Sequence, residues 1–256
     1  MPNISTTSVQ NILANKGLHC RKARKVVFLT KPQKEKRKAW AFRHKNWEDA
    51  DWERVIWSDK CYVYIGDDRG TVYVTRSVDE EYDEGCMVPN FKQSSLRVMI
   101  WGCIMKNSKG LMVVLEYPGG KGGGMNAERY QEQVLERKLY NYYMDRMEKM
   151  GQVKFQQDGA PSHTARSTKA WLARNSIEQF LHLPSSPNLS PIEPLWKTLK
   201  NYIRARPHLP SSIAELKKAA CEAWDQITEE DINAHVNHMN DRVQEVLAAR
   251  GGHTRY

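Results

Sequence analysis

The chain has 256 residues, 40% of them hydrophobic, with eight tryptophans and eleven tyrosines, a composition that supports a globular enzyme and argues against a disordered protein. Its longest uninterrupted apolar stretch, Val98 to Met105, falls far short of the roughly 20 residues a membrane helix requires, and the polar opening residues do not form a signal peptide; the expectation is a soluble intracellular protein with no membrane partner. The net charge of +9 is uneven, because residues 1–45 carry twelve Lys or Arg against the single acid Glu35 while the rest carry 27 bases and 29 acids, so a basic arm is joined to a near-neutral body and reads either as a polyanion-binding end or as a solvated segment.

In chain order, Ser5 to Ser8 offer N-caps for a short helix with Val9, Ile12 and Leu13 on one face, stopped at Gly17. Arg21, Lys22, Arg24 and Lys25 form a basic cluster of the kind that tracks phosphates or serves nuclear import. Thr30 and Gln33 cap a helix from about Lys31 to Lys45, with Lys34, Lys36, Arg37, Lys38, Arg43 and Lys45 over much of its surface and Trp40 and Trp47 docking it to the body. Arg54 to Ser58 reads as the first core strand, ending at Asp59. Residues 60–96 read as an insertion, with strand-like pieces at Cys61 to Ile65 and Thr71 to Val74 and an acidic tract from Asp79 to Glu84.

Arg97 to Ile104 and Gly110 to Glu116 predict a hairpin around Asn107-Ser108-Lys109. The glycine-rich run from Pro118 to Gly124 predicts a flexible link and lacks the Gly-Lys-Ser/Thr of a phosphate-binding loop. Asn126 caps a long helix carrying Tyr130, Val134, Leu135, Leu139, Tyr142, Tyr143 and Met147 on one side and ended by Gly151. Val153 to Phe155 leads as a strand into Asp158, a helix follows from about His163 to Arg174, and Glu178 to Leu183 form another strand. After Pro207 to Pro210, two amphipathic helices are predicted near 212–226 and 229–249. Strands, hairpin and helices in this order predict an α/β fold, a mixed sheet covered by helices. The five cysteines, Cys20, Cys61, Cys86, Cys103 and Cys221, contain no C-x-x-C pair and read as buried reduced thiols.

Three acids sit at junctions. Asp158 ends a strand before Gly159 breaks it, and Glu193 follows 35 positions later as the third residue of a helix whose N-cap is Ser190 and whose first residue is Pro191, an S-x-x-E capping box. With Asp59 they offer an all-oxygen site for hard divalent cations. Singly, each acid has a bland reading as a turn residue, a strand end or a cap.

The segments Trp57-Ser58-Asp59, Gln157 to Ala165 and Ser186 to Trp196, in this order and spacing, together with the ending from Arg242 to Tyr256, resemble the Tc/mariner-type transposases over nearly the whole chain. The resemblance implies a ribonuclease-H-like catalytic domain over residues 53–206, with 60–96 as the insertion, a basic linker at 18–52 and a helical extension at 207–256. Residues 1–17 would be the remnant of a helix-turn-helix DNA-binding region, making Ser8, Gln10 and Asn11 base-edge or phosphate contacts, or else a frayed leader helix.

Asp59, Asp158 and Glu193 would be the metal-binding catalytic triad, holding two Mg²⁺ or Mn²⁺ ions. His163 would either orient a phosphate or make a local hydrogen bond. The implied partners are duplex transposon ends and a TA target, with a homodimer and a nuclear location, and no small-molecule substrate. The alternative is a catalytically inactive or host-adopted DNA-binding relic. The sequence departs from the family pattern at Asn188, where Asp is usual, at Ser190, where Asn is usual, and at Lys60, where an acid is common; Asn188 and Lys60 are expected to alter the charge beside the site.

Overall fold

Residues 5–16, 28–66, 96–119, 123–181, 183 and 186–255 are described by the structure, a computed structural model. Arg21, Lys22, Arg24 and Lys25, the acidic tract, the strand expected at Thr71 to Val74, and Cys20 and Cys86 lie outside these residues.

The sheet has five strands in the order β3-β2-β1-β4-β5: β1 is Val55–Tyr64, β2 Arg97–Ile104, β3 Met112–Leu115, β4 Lys154–Gln157 and β5 Gln179–Leu181. The first three strands pair antiparallel, and β1-β4-β5 pair parallel. The hairpin expected at 97–116 forms, with Asn107 at its tip in the left-handed region (φ 56°).

Because side chains alternate across a strand, the sheet buries two layers. On one face Ile56, Met99, Trp101, Cys103 and Phe155 pack beneath Tyr130, Val134, Leu135, Leu139, Tyr143 and Leu172. These come from α4 (Ala127–Tyr130), the π-helical turns Gln131–Leu139, α5 (Tyr140–Met150) and α7 (Arg166–Arg174). Asn126 caps this long helical run by accepting from the Arg129 amide at 2.9 Å, and Gly151 ends it at φ 74°.

On the other face Val55, Trp57, Cys61, Val63 and Ile100 pack against α8 (Glu193–Arg204), α9 (Ile213–Asp225), α10 (Glu229–Val236) and α11 (Met239–Ala248). The second predicted carboxyl-terminal helix is thus two, parted at Asn237 and His238. The helix expected from His163 is also two: α6 (Pro161–Thr164) and α7 are separated at Ala165, whose ψ of 143° is extended.

Helix α2, Lys31–His44, starts with the expected reciprocal cap between Thr30 and Gln33 and belongs to the core rather than to a detached arm. Trp40 is buried, donates its indole N–H to the Leu181 carbonyl at 3.0 Å and lies among Trp52 and Phe180; Trp47 stacks beside them. Arg37, expected on the surface of this helix, is only 2% exposed. Each of its three nitrogens donates a hydrogen bond: Nε to the Gly251 carbonyl (2.9 Å), Nη2 to the Gly252 carbonyl (3.1 Å) and Nη1 to Asn188 Oδ1 (2.9 Å).

By contrast the first helix, α1 (Thr6–Asn15), capped by Ser5, exposes Val9, Ile12 and Leu13. Ser8, Gln10 and Asn11 are exposed on it. Cys61 and Cys103 are buried free thiols, as expected, but Cys221 is exposed. Among the described residues no helix is long and apolar enough to cross a membrane.

Candidate active site

The parallel pairing of β1 with β4 brings the first two acids together. Asp158 comes immediately after β4, as its sequence predicts. Asp59 does not end a strand, however: β1 runs on to Tyr64, and Asp59 lies mid-strand opposite Gly102 of β2. It shares the face of Trp57 and Cys61, towards α8, where the Trp196 indole N–H donates to Asp59 Oδ2 at 3.0 Å. That ring has room because Gly102 has no side chain: a Cβ there would stand 2.7 Å from Trp196 Cη2.

Glu193 is the first residue of α8, not the third. Ile192 occupies the N-cap position and no side chain caps the helix. The predicted capping box does not form: α8 begins three residues beyond Ser190, which is buried after the 3₁₀ turn Pro187–Leu189, and the Ser190 hydroxyl makes no hydrogen bond. Glu193 is therefore free of the capping duty that its sequence context suggested. Asp59, Asp158 and Glu193 line one open cleft of about 450 Å³, together with Gln156, Ser186 and Ser190.

The three carboxyls differ in electrostatic state. Burial, with the neighbouring Asp158 charge added, pushes Asp59 up to about 6 despite the hydrogen bonds from the Lys60 amide and Trp196. Burial and then the Asp59 charge push Glu193 up to about 7. Asp158 is also penalised by burial, yet lies well below the usual carboxylate range because His163 and Lys60 face it and the Ala160 amide donates to it at 3.0 Å.

Lys60 and His163 reach Asp158 from the opposite face of β1 and from α6. Lys60 Nζ is 2.7 Å from His163 Nε2 and 3.6 Å from Asp158 Oδ1, and His163 Nδ1 is 2.5 Å from that same oxygen. An ammonium only donates, so Nε2 accepts and Nδ1 carries the proton that it donates to Asp158. Burial lowers the pKa of His163, consistent with a neutral ring; Tyr130 covers that ring at 4.2 Å between centroids. Of the two roles expected for His163, its contacts are with Asp158 and Lys60.

The charge change expected beside the site from Asn188 does not arise. Asn188 Oδ1 faces Arg37, and its Nδ2 donates to Thr254 Oγ1 at 2.9 Å, so it serves the packing of the chain ends. Lys60, in contrast, does place a cation at Asp158.

Among the described residues no three His, Cys, Asp or Glu side chains stand ready as a metal cage. The donor set nonetheless fits a hard cation, since it is wholly carboxylate oxygen and two of its members are held at raised proton affinity in a shared cleft. No protein-family model matches the chain. The Tc1 transposase of Caenorhabditis elegans is 31% identical over 258 residues, spanning 100% of this chain and 89% of its own length.

The chain belongs to the Tc1/mariner transposases. Its fold agrees with solved members of that family. The mariner Mos1 paired-end complex with Mg superposes with a TM-score of 0.75 at 22% identity, over 98% of this chain and 72% of that one. The Mos1 strand transfer complex does so at 0.72, with 22% identity and the same coverage. The five-stranded order seen here is the ribonuclease-H-like sheet of the Tc1/mariner catalytic domain, as the resemblance implied.

Sequence reasoning missed Trp196 and Gly102 as partners of Asp59, and Lys60 with His163 as the pair that holds Asp158. Trp196 carried a signal, because it lies three residues after Glu193 and so shares its helix face. The place of Lys60 next to Asp59 signals a charge beside the site, but its contact with Asp158, like that of Gly102 with Trp196, depends on long-range strand register.

Proposed function

We propose that this transposase cuts duplex DNA at the ends of a transposable element and joins them to target DNA at TA dinucleotides, using divalent cations held by Asp59, Asp158 and Glu193. The observation that carries the reading is the single cleft shared by these three carboxyls beside the parallel pair β1 and β4. Two Mg²⁺ or Mn²⁺ ions, when bound, would activate an attacking water or 3′-hydroxyl and stabilise the leaving oxygen. The chain's own residues prepare the site. Trp196 fixes one oxygen of Asp59, while His163 and Lys60 keep Asp158 ionised. The rise in the Asp59 and Glu193 pKa values comes first from burial and then from the neighbouring carboxylates, and a bound cation would favour the ionised form of both.

Exposed Ser8, Gln10 and Asn11 on α1, with Arg21, Lys22, Arg24 and Lys25 after it, would contact the DNA, two copies pairing its two ends in the nucleus. A second reading, a DNA-binding relic without catalysis, is favoured by Lys60, whose ammonium already faces Asp158 where a metal ion would compete for the same oxygen. Cleavage of duplex DNA carrying candidate terminal repeats in Mg²⁺ separates the two. The transposase reading expects nicking by the parental chain and none by Glu193→Gln; a parental chain that binds this DNA in Mg²⁺ or Mn²⁺ without cutting it would overturn catalysis and leave the relic.

A further inference from the structure

Without a capping box, something other than its own helix must fix where Glu193 enters α8. The residues before it run through the 3₁₀ turn Pro187–Leu189, closed by the Leu189 amide on the Ser186 carbonyl (3.0 Å) and the Ser190 amide on the Pro187 carbonyl (3.0 Å). The middle residue of that turn, Asn188, is held from three directions. Arg37 Nη1 donates to its Oδ1 at 2.9 Å, Arg242 Nη1 donates to its backbone carbonyl at 2.8 Å, and its own Nδ2 donates to Thr254 Oγ1 at 2.9 Å.

Arg37 also grips the chain's other end through the Gly251 and Gly252 carbonyls. That grip needs a glycine: Gly251 has φ +82°, and a Cβ there would overlap the Lys34 carbonyl of α2. A planar guanidinium with all three nitrogens engaged can hold these groups in one geometry, which an ammonium cannot.

We propose that Arg37, acting through Asn188, is a positioning residue for Glu193, and that α2 and the carboxyl-terminal turn together form a brace that sets this carboxylate in the metal site. The inference rests on Glu193 being a metal ligand. Arg37 lies behind the turn and is buried, so it touches neither DNA nor metal. Its loss acts on metal use and leaves DNA affinity alone. Groups that orient metal ligands typically influence metal affinity or activity by about 10- to 100-fold.

The test measures, for the parental chain, Arg37→Lys, Asn188→Ala, Asn188→Asp and Glu193→Gln, both strand cleavage of terminal-repeat duplex against Mg²⁺ concentration and, without DNA, the rise in melting temperature with Mg²⁺ concentration, which reads metal binding apart from activity; cleavage is assayed at a temperature where each variant is folded. Arg37→Lys and Asn188→Ala should raise the half-saturating Mg²⁺ concentration or lower kcat by about 10-fold or more, with KM for DNA within about twofold of parental. Asn188→Asp keeps an oxygen facing Arg37 and should return to near-parental Mg²⁺ dependence. Should Arg37→Lys fail to fold, Asn188→Ala and its Asp counterpart decide alone. Folded variants with parental Mg²⁺ dependence and kcat, alongside a dead Glu193→Gln, would overturn the brace while leaving the metal reading intact. An active Glu193→Gln would instead overturn the metal reading, and the brace with it.

Discussion

Glu193 stands at the start of α8 with its carboxyl pushed up to about 7, which changes what its removal should do to stability. As a cap, its loss would weaken the fold. As a half-buried acid beside Asp59 it costs the native state whenever it is ionised, since the unfolded chain ionises it near 4.5. Glu193→Gln should therefore stabilise the metal-free chain at about pH 8 by on the order of 1 to 3 kcal/mol, with the gain shrinking towards about pH 5, where the native carboxyl is already protonated. Urea unfolding at the two pH values checks the sign, and a loss of stability at the higher pH would return Glu193 to a structural role.

Gly102 is the other residue whose replacement is diagnostic. Gly102→Ala pushes a methyl group to 2.7 Å from Trp196 Cη2, so the indole or strand β2 must give way, which disturbs the Trp196 hydrogen bond to Asp59 Oδ2. The expected cost is about 1 to 3 kcal/mol of stability, as for other overpacked sites, together with slower cleavage. Parental cleavage by a folded Gly102→Ala would show that cleavage does not depend on this placement of Trp196 beside Asp59.

At the scale of elements, α1 and α2 divide the basic amino-terminal region into two parts with different duties. Helix α2 buries Arg37, Trp40 and Ala41, so deleting residues 1–45 removes core as well as charge and should abolish cooperative folding. Deleting residues 1–27 removes five bases, Lys16, Arg21, Lys22, Arg24 and Lys25, while leaving the α2 contacts. If those five meet phosphates, the slope of log K against log salt on duplex DNA should flatten by about 4 to 5, with the melting temperature nearly unchanged. An unaltered slope would remove this segment from the DNA interface.

The same division shows what the sequence could carry. Local signals sufficed for the α2 cap, the hairpin, the long helix closed by Gly151 and the strand end at Asp158, because each depends on neighbours a few residues away. They failed at Asp59, where a polar Asp-Lys pair looked like the end of a strand that continues to Tyr64 because β2 pairs along its length. They failed at Ser190 for a related reason. S-x-x-E describes a helix start only if the serine hydroxyl meets an amide of the first turn, and here the hydroxyl is buried and unbonded behind a turn whose Asn188 is held by Arg37, 151 residues away. The convergence of the acids was anticipated from motif order, while their supporting contacts depend on long-range register.

Across the whole molecule, the three acids make stability depend on pH in a way that a bound cation should reverse. For Asp59 and Glu193 the native pKa values of about 6 and 7 exceed their ordinary values of 3.8 and 4.5, so between about pH 4 and 7 the native chain holds protons that the unfolded chain releases. Stability from these two groups falls as pH rises through that window. Asp158 has the opposite sign: its depressed pKa contributes stability above about pH 4 that is lost on further acidification. On the proposed metal site, divalent cations would compete with the protons on Asp59 and Glu193 and bind only the assembled site, so they would stabilise by mass action and release protons as they bind. The rise in melting temperature produced by millimolar Mg²⁺ should therefore be small near pH 5 and grow to its full value by about pH 8. In Glu193→Gln it should be reduced at every pH. Calorimetric melts with and without Mg²⁺ across this range give the answer; a Mg²⁺ effect that is absent, or equal at pH 5 and 8, would mean that these carboxyls do not share a cation.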